Sequence, residues 1–429
     1  MSNRDDEYYD RGGRRPSQRD DRYRDDVRSS GRSRDSRSRR DYDDYDERPR
    51  RREPEGSAGR GARSSRDYDA PRRGQSSRPG SAGKNGKKKN KAMILLISEI
   101  AVALLLIFAA WHIFYKIDVG KVGKVKLDEE AINESISDEA AENEHMKGYT
   151  NIVLFGVDAR DEQLKKKTRT DSIIICSINN DNGEIKLCSV YRDTYLNLSN
   201  DQYNKCNAAY VYGGPDQAIA MLNMNLDMDI NDFITIGFRG LTDVVDALGG
   251  VEINVPDDVV EHLNNYGRMM AKELKLDFKD VKSSGMQRLN GLQATAYCRV
   301  RYTAGGDFDR AARQREVIQA CLVEAKKKSP SELEKVANSM MGEIYTSFDI
   351  SDIVKLLKDV PKYEIVEQNG FPEESMRATG KIGKGSMVIP VNLESNVKWL
   401  HGFLFNDTEY AVSEDVKKYS EKISADSGK

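Results

Sequence analysis

At 429 residues the chain is long enough for two or three domains, and its totals conceal two different polymers. Residues 1–91 hold 28 Lys/Arg and 18 Asp/Glu, a net +10, with no Leu, Ile, Phe, Trp or Cys, whereas the remaining 338 residues net −12. A segment so poor in apolar side chains cannot offset its conformational entropy by burial, which predicts disorder for 1–91 and excludes an enzyme confined to the N-terminal quarter.

Within that tail, Arg32-Ser33-Arg34 and Ser36-Arg37-Ser38-Arg39-Arg40 suit RNA or anionic lipid. The interleaved acid of Asp41-Tyr42-Asp43-Asp44 repels phosphate, so a solvated tail open to phosphorylation is the reading and no nucleic acid is expected as partner. Only 59–91 is persistently basic, and its nearest polyanion is the inner leaflet of a membrane.

Residues 92–115 form one apolar run carrying a single charge, Glu99. About 20 apolar residues cross a bilayer as a helix; a core helix is rarely apolar on every face, and the apolar region of a cleavable signal is only ~7–15 residues long. The run predicts one retained transmembrane helix, with Trp111 and Tyr115 at an interface. Lys84, Lys87, Lys88, Lys89 and Lys91 precede it, whereas the lysines after it fade into the acidic stretch 128–144. That bias places the N-terminus in the cytoplasm and the bulk of the chain outside, behind a stalk at 116–148.

Globular patterning begins at Tyr149. Short apolar runs at 151–157, 172–178 and 185–191 predict buried strands, the last two joined across Asn179-Asn180-Asp181-Asn182-Gly183 as a hairpin. Pro215 after Gly213-Gly214 marks a helix start, and 218–226 continues it. A strand at 233–238, a helix at 241–248, a strand at 251–255 and helices at 290–297 and 309–327 follow. The alternation predicts an α/β domain, a mixed central sheet flanked by helices, over 149–345. Helices at 349–359 and 393–405 belong to a C-terminal elaboration of that domain, 346–429. The five cysteines form no CxxC pair and His is scarce at 4, which argues against zinc and for buried thiols; a Cys176–Cys188 bridge across the hairpin stays open.

Candidate chemistry gathers in Asp and Arg at element ends: Asp158 and Arg160, Arg169 and Asp171, Arg192, then Arg299 and Arg301, then Asp307, Arg310, Arg313 and Gln314. Arg299 and Arg301, two apart in an extended stretch, point the same way, and Arg310, Arg313 and Gln314 share a helical face at i, i+3, i+4. Several guanidiniums converging on one place suit a phosphate or pyrophosphate. Loop-end carboxylates such as Asp158 and Asp171 suit Mg²⁺. The ordinary alternative is that these acids and bases simply pair with one another. There is no GxxxxGK[ST], GxSxG or HExxH.

Seven ordered segments, NIVLFGVDAR (151–160), TRTDSIII (168–175), SVYRDTYL (189–196), KCNAAYVYGGP (205–215), DVVDALGGVEINV (243–255), LNGLQATAYCRVRY (289–302) and GDFDRAARQR (306–315), resemble the motif series of the LytR-CpsA-Psr family. The resemblance covers Tyr149 to about Ala325. It implies an extracytoplasmic α/β domain on one N-terminal anchor in the cell membrane. It also implies transfer of a glycopolymer from a polyprenyl-pyrophosphate carrier onto peptidoglycan through a phosphodiester bond. By motif, Asp158 and Asp171 correspond to ligands of Mg²⁺ (or Mn²⁺), and Arg192, Arg299, Arg301 and Arg310 to a pyrophosphate clamp, with Arg169, Arg313 and Gln314 close by. Asp307 is similar to the residue proposed to activate the acceptor hydroxyl. Tyr191 departs from a Pro common in the family, which should alter only a turn. The alternatives are a non-catalytic polyprenyl-glycan scaffold and a membrane-bound attenuator of transcription, the latter without a helix-turn-helix to support it.

Overall fold

The computed structural model describes residues 123–124, 126–158, 164, 168–340 and 342–429. The chain parts into two units, 1–82 and 83–429, and every described residue lies in the second. The tail expected to be disordered, the expected transmembrane run 92–115 and Arg160 lie outside the described residues. Among the described residues no helix is long and apolar enough to cross a membrane.

The described chain enters on a two-residue strand, β1 (Gly123–Lys124), and three one-turn helices. Three long strands follow, β2 (Tyr149–Val157), β3 (Thr170–Asn179) and β4 (Glu184–Val190), then a small hairpin, β5 (Tyr195–Asn197) and β6 (Tyr203–Lys205). Helix α1 (Ala208–Leu226), β7 (Asp232–Gly237), α2 (Phe238–Leu248), β8 (Val251–Val255) and α3 (Asp257–Leu274) come next. They lead to β9 (Gly285–Leu289), α4 (Gly291–Tyr297) and α5 (Gly306–Ala325). The remainder supplies α6 (Pro330–Met340), β10 (Ile344–Thr346), α7 (Ile350–Asp359), β11 (Glu364–Phe371), the hairpin β12 (Arg377–Ile382) and β13 (Gly385–Pro390), α8 (Leu393–Phe405) and α9 (Glu414–Ser427).

Seven strands form one mixed sheet in the order β1-β10-β7-β2-β3-β4-β11. β2 runs antiparallel to β3 and parallel to β7, and β3 runs antiparallel to β4. Those directions bring the ends of β2, β4 and β7 and the beginning of β3 to one edge, where Asp158, Arg192, Phe238 and Asp171 all lie. The central strands are apolar on both faces because both are covered. Val153, Phe155, Ile175 and Cys188 face a core shared with α1, α8 and α9, whereas Ile152, Ile174 and Leu187 face the side of α5 and α7. A smaller core binds β8, β9, α3 and α4.

The stretch expected to be a free stalk is packed from Glu129 onward: Ile132, Ala140 and Met146 are buried in the main core, each one-turn helix contributing one apolar anchor. Helix α1 begins at Ala208, ahead of the expected start at Pro215, and is two helical pieces joined at Gly214, whose φ of 72° only glycine adopts readily; Pro215 opens the second piece, as expected. All five cysteines are free thiols. The register explains why no bridge spans the hairpin: Cys188 sits opposite Ile175 and Cys176 opposite Leu187, so the two thiols face opposite sides of the sheet. β10 and β11, both beyond residue 343, are strands of the central sheet itself.

Candidate anion site over an apolar cavity

Between the sheet and helices α2 and α5 lies a cavity of about 450 Å³. Its floor follows the cross-strand rows Ile174–Leu154–Ile234 and Ser172–Gly156–Ile236, and Leu241, Val244, Val317 and Ile318 close it from the helices. Gly156 lets the rows approach, since a Cβ there would stand 2.9 Å from the Cβ of Ser172. The wall is therefore mostly apolar, and its charges gather at the sheet edge, where Asp158, Asp171, Arg192, Arg299, Arg301 and Arg310 ring the mouth. The 218–226 part of α1 packs against the opposite face of the sheet and has no part in this wall.

Asp171 is the extra residue of a β-bulge: Ser172 pairs with Gly156 and Thr170 with Val157, leaving Asp171 between them. Its carboxylate holds Arg192 in a short ion pair and lies 3.6 Å from Arg301 and 3.8 Å from Arg310. Asp307, on the first turn of α5, receives Arg310 at 2.9 Å and lies 3.5 and 3.6 Å from Arg192 and Arg301. Three guanidiniums thus converge on two carboxylates. Arg299 stands apart, 3.5 Å from Asp158 and laid over the rings of Phe238 at 4.2 Å and Tyr266 at 5.5 Å. Val300 between them is fully buried, so Arg299 and Arg301 both reach the cavity.

Burial pulls the Arg310 guanidinium down to about 10 against the opposing pull of Asp307, so it remains cationic at neutral pH. The Nε atoms of Arg192 and Arg310 are buried with no hydrogen-bond partner among the described residues. Guanidiniums at the mouth of a largely apolar cavity have a natural complement, an anionic head group on an apolar tail.

The remaining candidates divide. Gln314 lines the cavity; Arg313 does not, because its guanidinium donates to the Val300 carbonyl at 2.9 Å and to Thr303 Oγ1 at 2.8 Å. At ~100° per residue Gln314 lies only ~40° from Arg310 around the helix, whereas Arg313 lies ~60° to the other side. Arg169 faces a second cleft, with Lys205 and Lys384. Asp307 stands beside the cavity rather than in its wall.

Sequence reasoning missed the aromatic seat of Arg299, since Tyr266 belongs to a helix not anticipated. It also undervalued Tyr191, which does more than alter a turn. Its ring meets Phe308 edge to face at 4.6 Å and its hydroxyl accepts from Arg377 at 3.0 Å. Gly370 has no Cβ where the Tyr191 hydroxyl lies, 2.1 Å from the ideal position.

Asp158 and Asp171 are hard oxygen donors on one cavity rim, a set that fits Mg²⁺ or Mn²⁺, ions that take one or two carboxylates and complete their shells with phosphate oxygens and water. Among the described residues no group of three His, Cys, Asp or Glu could hold a metal by itself, so such an ion would need oxygens from the substrate.

The fold and rim define a mixed α/β domain with an arginine-ringed anion site over an apolar cavity. A family model, the LytR_cpsA_psr family, matches residues 119–397, and the chain belongs to the LytR-CpsA-Psr family. The match extends the resemblance on both sides of 149–325, in keeping with the packed segment before β2 and with β10 and β11 in the sheet.

Among similar proteins, the polyisoprenyl-teichoic acid–peptidoglycan teichoic acid transferase TagU of Bacillus cereus is 35% identical over 177 residues, 40% of this chain and 51% of that one. The regulatory protein MsrR of Staphylococcus aureus is 27% identical over 271 residues, 61% and 76% of the two chains. The chain spans about half the length of the first relatives it matches. Of solved structures, TagT bound to LIIa-WTA superposes with a TM-score of 0.51 at 23% identity, covering 65% of this chain and 99% of that one. A Streptococcus agalactiae protein gives 0.51 at 25%, covering 67% and 93%.

Proposed function

We propose that the protein is a membrane-anchored phosphotransferase that moves a glycopolymer from a polyprenyl-pyrophosphate carrier onto peptidoglycan, leaving a phosphodiester link. One observation carries the reading: four guanidiniums and two carboxylates ring the mouth of an apolar cavity. A pyrophosphate on a hydrocarbon chain has the matching halves, and relatives such as TagU bear the name of this transfer.

In this reading the prenyl chain lies between the sheet and helices α2 and α5, and Arg192, Arg299, Arg301 and Arg310 hold the pyrophosphate. The acceptor hydroxyl of peptidoglycan attacks the sugar-linked phosphorus. The bond from that phosphorus to the bridging oxygen breaks, prenyl phosphate leaves, and the hydroxyl proton passes to Asp307. The clamp stabilises negative charge building on the non-bridging and leaving oxygens, the chief catalytic device in phosphoryl transfer. A Mg²⁺ or Mn²⁺ ion held by Asp158 and Asp171 would neutralise further phosphate charge. Residues 92–115 anchor the chain, with the N-terminus in the cytoplasm and the α/β domain outside, where peptidoglycan lies.

The test is transfer by the full chain, given a prenyl-pyrophosphate-linked glycopolymer and peptidoglycan. Covalent attachment with release of prenyl phosphate is expected. Tight binding of the lipid-linked polymer with no attachment would overturn the enzyme reading in favour of a scaffold.

A further inference from the structure

Arg377 opens β12, well past the last motif segment at 306–315, yet its side chain runs back toward the site. Its guanidinium lies 4.0 Å from the centre of the Phe308 ring and 5.1 Å from that of Tyr191, and it donates to the Tyr191 hydroxyl at 3.0 Å. The two rings meet edge to face, so one planar cation covers both. The Arg377 side chain is only 14% exposed, whereas its carboxylate contact, Glu374 at 3.6 Å, is 85% exposed. An ion pair so open to water holds little. The rings hold the cation.

Each ring belongs to the neighbour of a site residue. Tyr191 precedes Arg192 just beyond β4, and Phe308 follows Asp307 on the first turn of α5. Arg192 and Asp307 face one another, Nε to carboxylate oxygen at 3.5 Å. The hairpin also holds the other side of Arg192. On β13 the Val388 N–H donates to the Asp193 carbonyl at 2.9 Å, and the Val388 side chain packs with Tyr191 and Ala311. Arg192 is thus bracketed by two residues fixed to one hairpin, and Asp307 is tied to that hairpin through Phe308.

We propose that Arg377 is a positioning residue of the anion site: seated on Tyr191 and Phe308, it fixes the spacing of Arg192 and Asp307 and makes the C-terminal hairpin part of the clamp. Two rings nearly at right angles and one hydroxyl define both the place and the tilt of its planar head. Without that head, the end of β4 and the start of α5 lose a shared fastening, Arg192 gains freedom relative to a bound anion, and binding weakens. The inference rests on the phosphotransferase reading for the anion that the site receives, and on this geometry for the role of Arg377.

The affinity of the full chain for farnesyl pyrophosphate, measured by calorimetry, tests it. R377M keeps a long side chain over the rings and removes the cation; its Kd should rise about fivefold, and that of R377K only about twofold. In an R192A background the R377M change should move Kd by less than about 1.5-fold, because the residue it positions is gone. F308L, which removes one seat, should weaken binding about threefold and add little to R377M. Plain packing predicts a lower melting temperature for R377M with an unchanged Kd per folded molecule. That result overturns the proposal, as does an equal rise in Kd with Arg192 present or absent. Should R377M not fold, F308L with and without R192A is read in the same way. An unmodified chain that does not bind farnesyl pyrophosphate would overturn the phosphotransferase reading and this inference together, whereas equal binding by the unmodified chain and R377M removes this inference alone.

Discussion

Arg310, on the first turns of α5, donates to the backbone carbonyl of Asp171 at 2.9 Å across a separation of 139 residues. Its side chain is only 4% exposed and also meets the Asp307 carboxylate, so one buried guanidinium fastens the helix to the bulged start of β3. Arg310→Ala should therefore damage both fold and site. Removing the cation leaves the Asp171 carbonyl without its donor and takes one of three arginines from each of two partly exposed carboxylates, a loss of about 2–3 kcal/mol once screening is allowed for. Arg310→Lys should recover less than half of it, since Lys lacks the fork that reaches two oxygens. Chemical denaturation of the three proteins checks this, and a stability within 0.5 kcal/mol (roughly the range of an ordinary surface change) for Arg310→Ala would refute it.

A different outcome is expected for Asp158 and Asp171, the carboxylates proposed to hold Mg²⁺. Asp158 is half exposed and lies at the end of β2, whereas Asp171 anchors three arginines. Asp158→Asn should leave thermal stability nearly unchanged and raise the Mg²⁺ concentration needed for transfer. Asp171→Asn should disturb arginine placement as well. Transfer should stop in excess chelator and return on adding Mg²⁺ or Mn²⁺. Full transfer in chelator would remove both residues from a metal role.

The apolar wall yields a prediction about chain length. Val244→Trp on α2 or Ile318→Trp on α5 would fill part of the space between helix and sheet. Excluding one isoprenoid unit removes about 2–3 kcal/mol of burial, or about 30–140-fold in Kd for a long prenyl pyrophosphate. Geranyl pyrophosphate, with less chain to seat, should lose far less. Equal losses for both lengths, measured by competition binding, would place the hydrocarbon elsewhere.

The long strands were legible in the sequence because burial on both faces writes an uninterrupted apolar run, as in Ile173-Ile174-Ile175. Helix α3 was not, since it is half exposed and its apolar positions are diluted by Asp257, Glu261, Arg268 and Lys272. The pairing of β11 with β4 is a contact between residues about 180 positions apart, and no local pattern encodes such a partner. The rim residues were found as types at element ends, but placement depended on direction. Arg310 and Gln314 share a face of α5 and Arg313 does not. Arg169 belongs to the same segment as Asp171 yet turns to the other cleft.

A buried histidine makes the fold sensitive to acid. His401 on α8 is wholly buried, its ring stacked 3.6 Å from Tyr410, and its Nε2–H donates to the Leu226 carbonyl at 3.1 Å. Burial draws its pKa from the usual 6.5 to about 4, with the Leu226 carbonyl and Asp407 pulling weakly the other way. The folded protein thus holds His401 neutral while the unfolded chain binds a proton below about 6.5. Stability from this group is complete above pH 6.5 and falls away as the pH drops towards 4, by up to about 3 kcal/mol. His401→Gln should be less stable at pH 7.5 but show a flatter slope between pH 6.5 and 4. An unchanged slope in denaturation curves would discard the assignment.

The clamp itself is tested through Arg299 and Arg301, which reach the cavity from either side of buried Val300 but lean on different partners. Arg299 rests on Phe238 and Tyr266, and Arg301 on Asp171 and Asp307. If both act on one pyrophosphate, each Arg→Ala change removes about 2–4 kcal/mol from the transition state and slows transfer about 10²–10³-fold. Arg→Lys should restore part of that, keeping the charge and losing the planar fork. Both side chains lie at the rim, 20% and 36% exposed, so melting temperatures should move far less than rates. The double variant should fall short of the product of the single effects, because the two residues stabilise the same charge. Simple pairing with nearby carboxylates predicts the reverse pattern, a lower melting temperature and a nearly normal rate per folded molecule. Measuring melting and glycopolymer transfer for R299A, R301A and the double variant separates the two, and normal transfer by the folded double variant would leave the clamp without support.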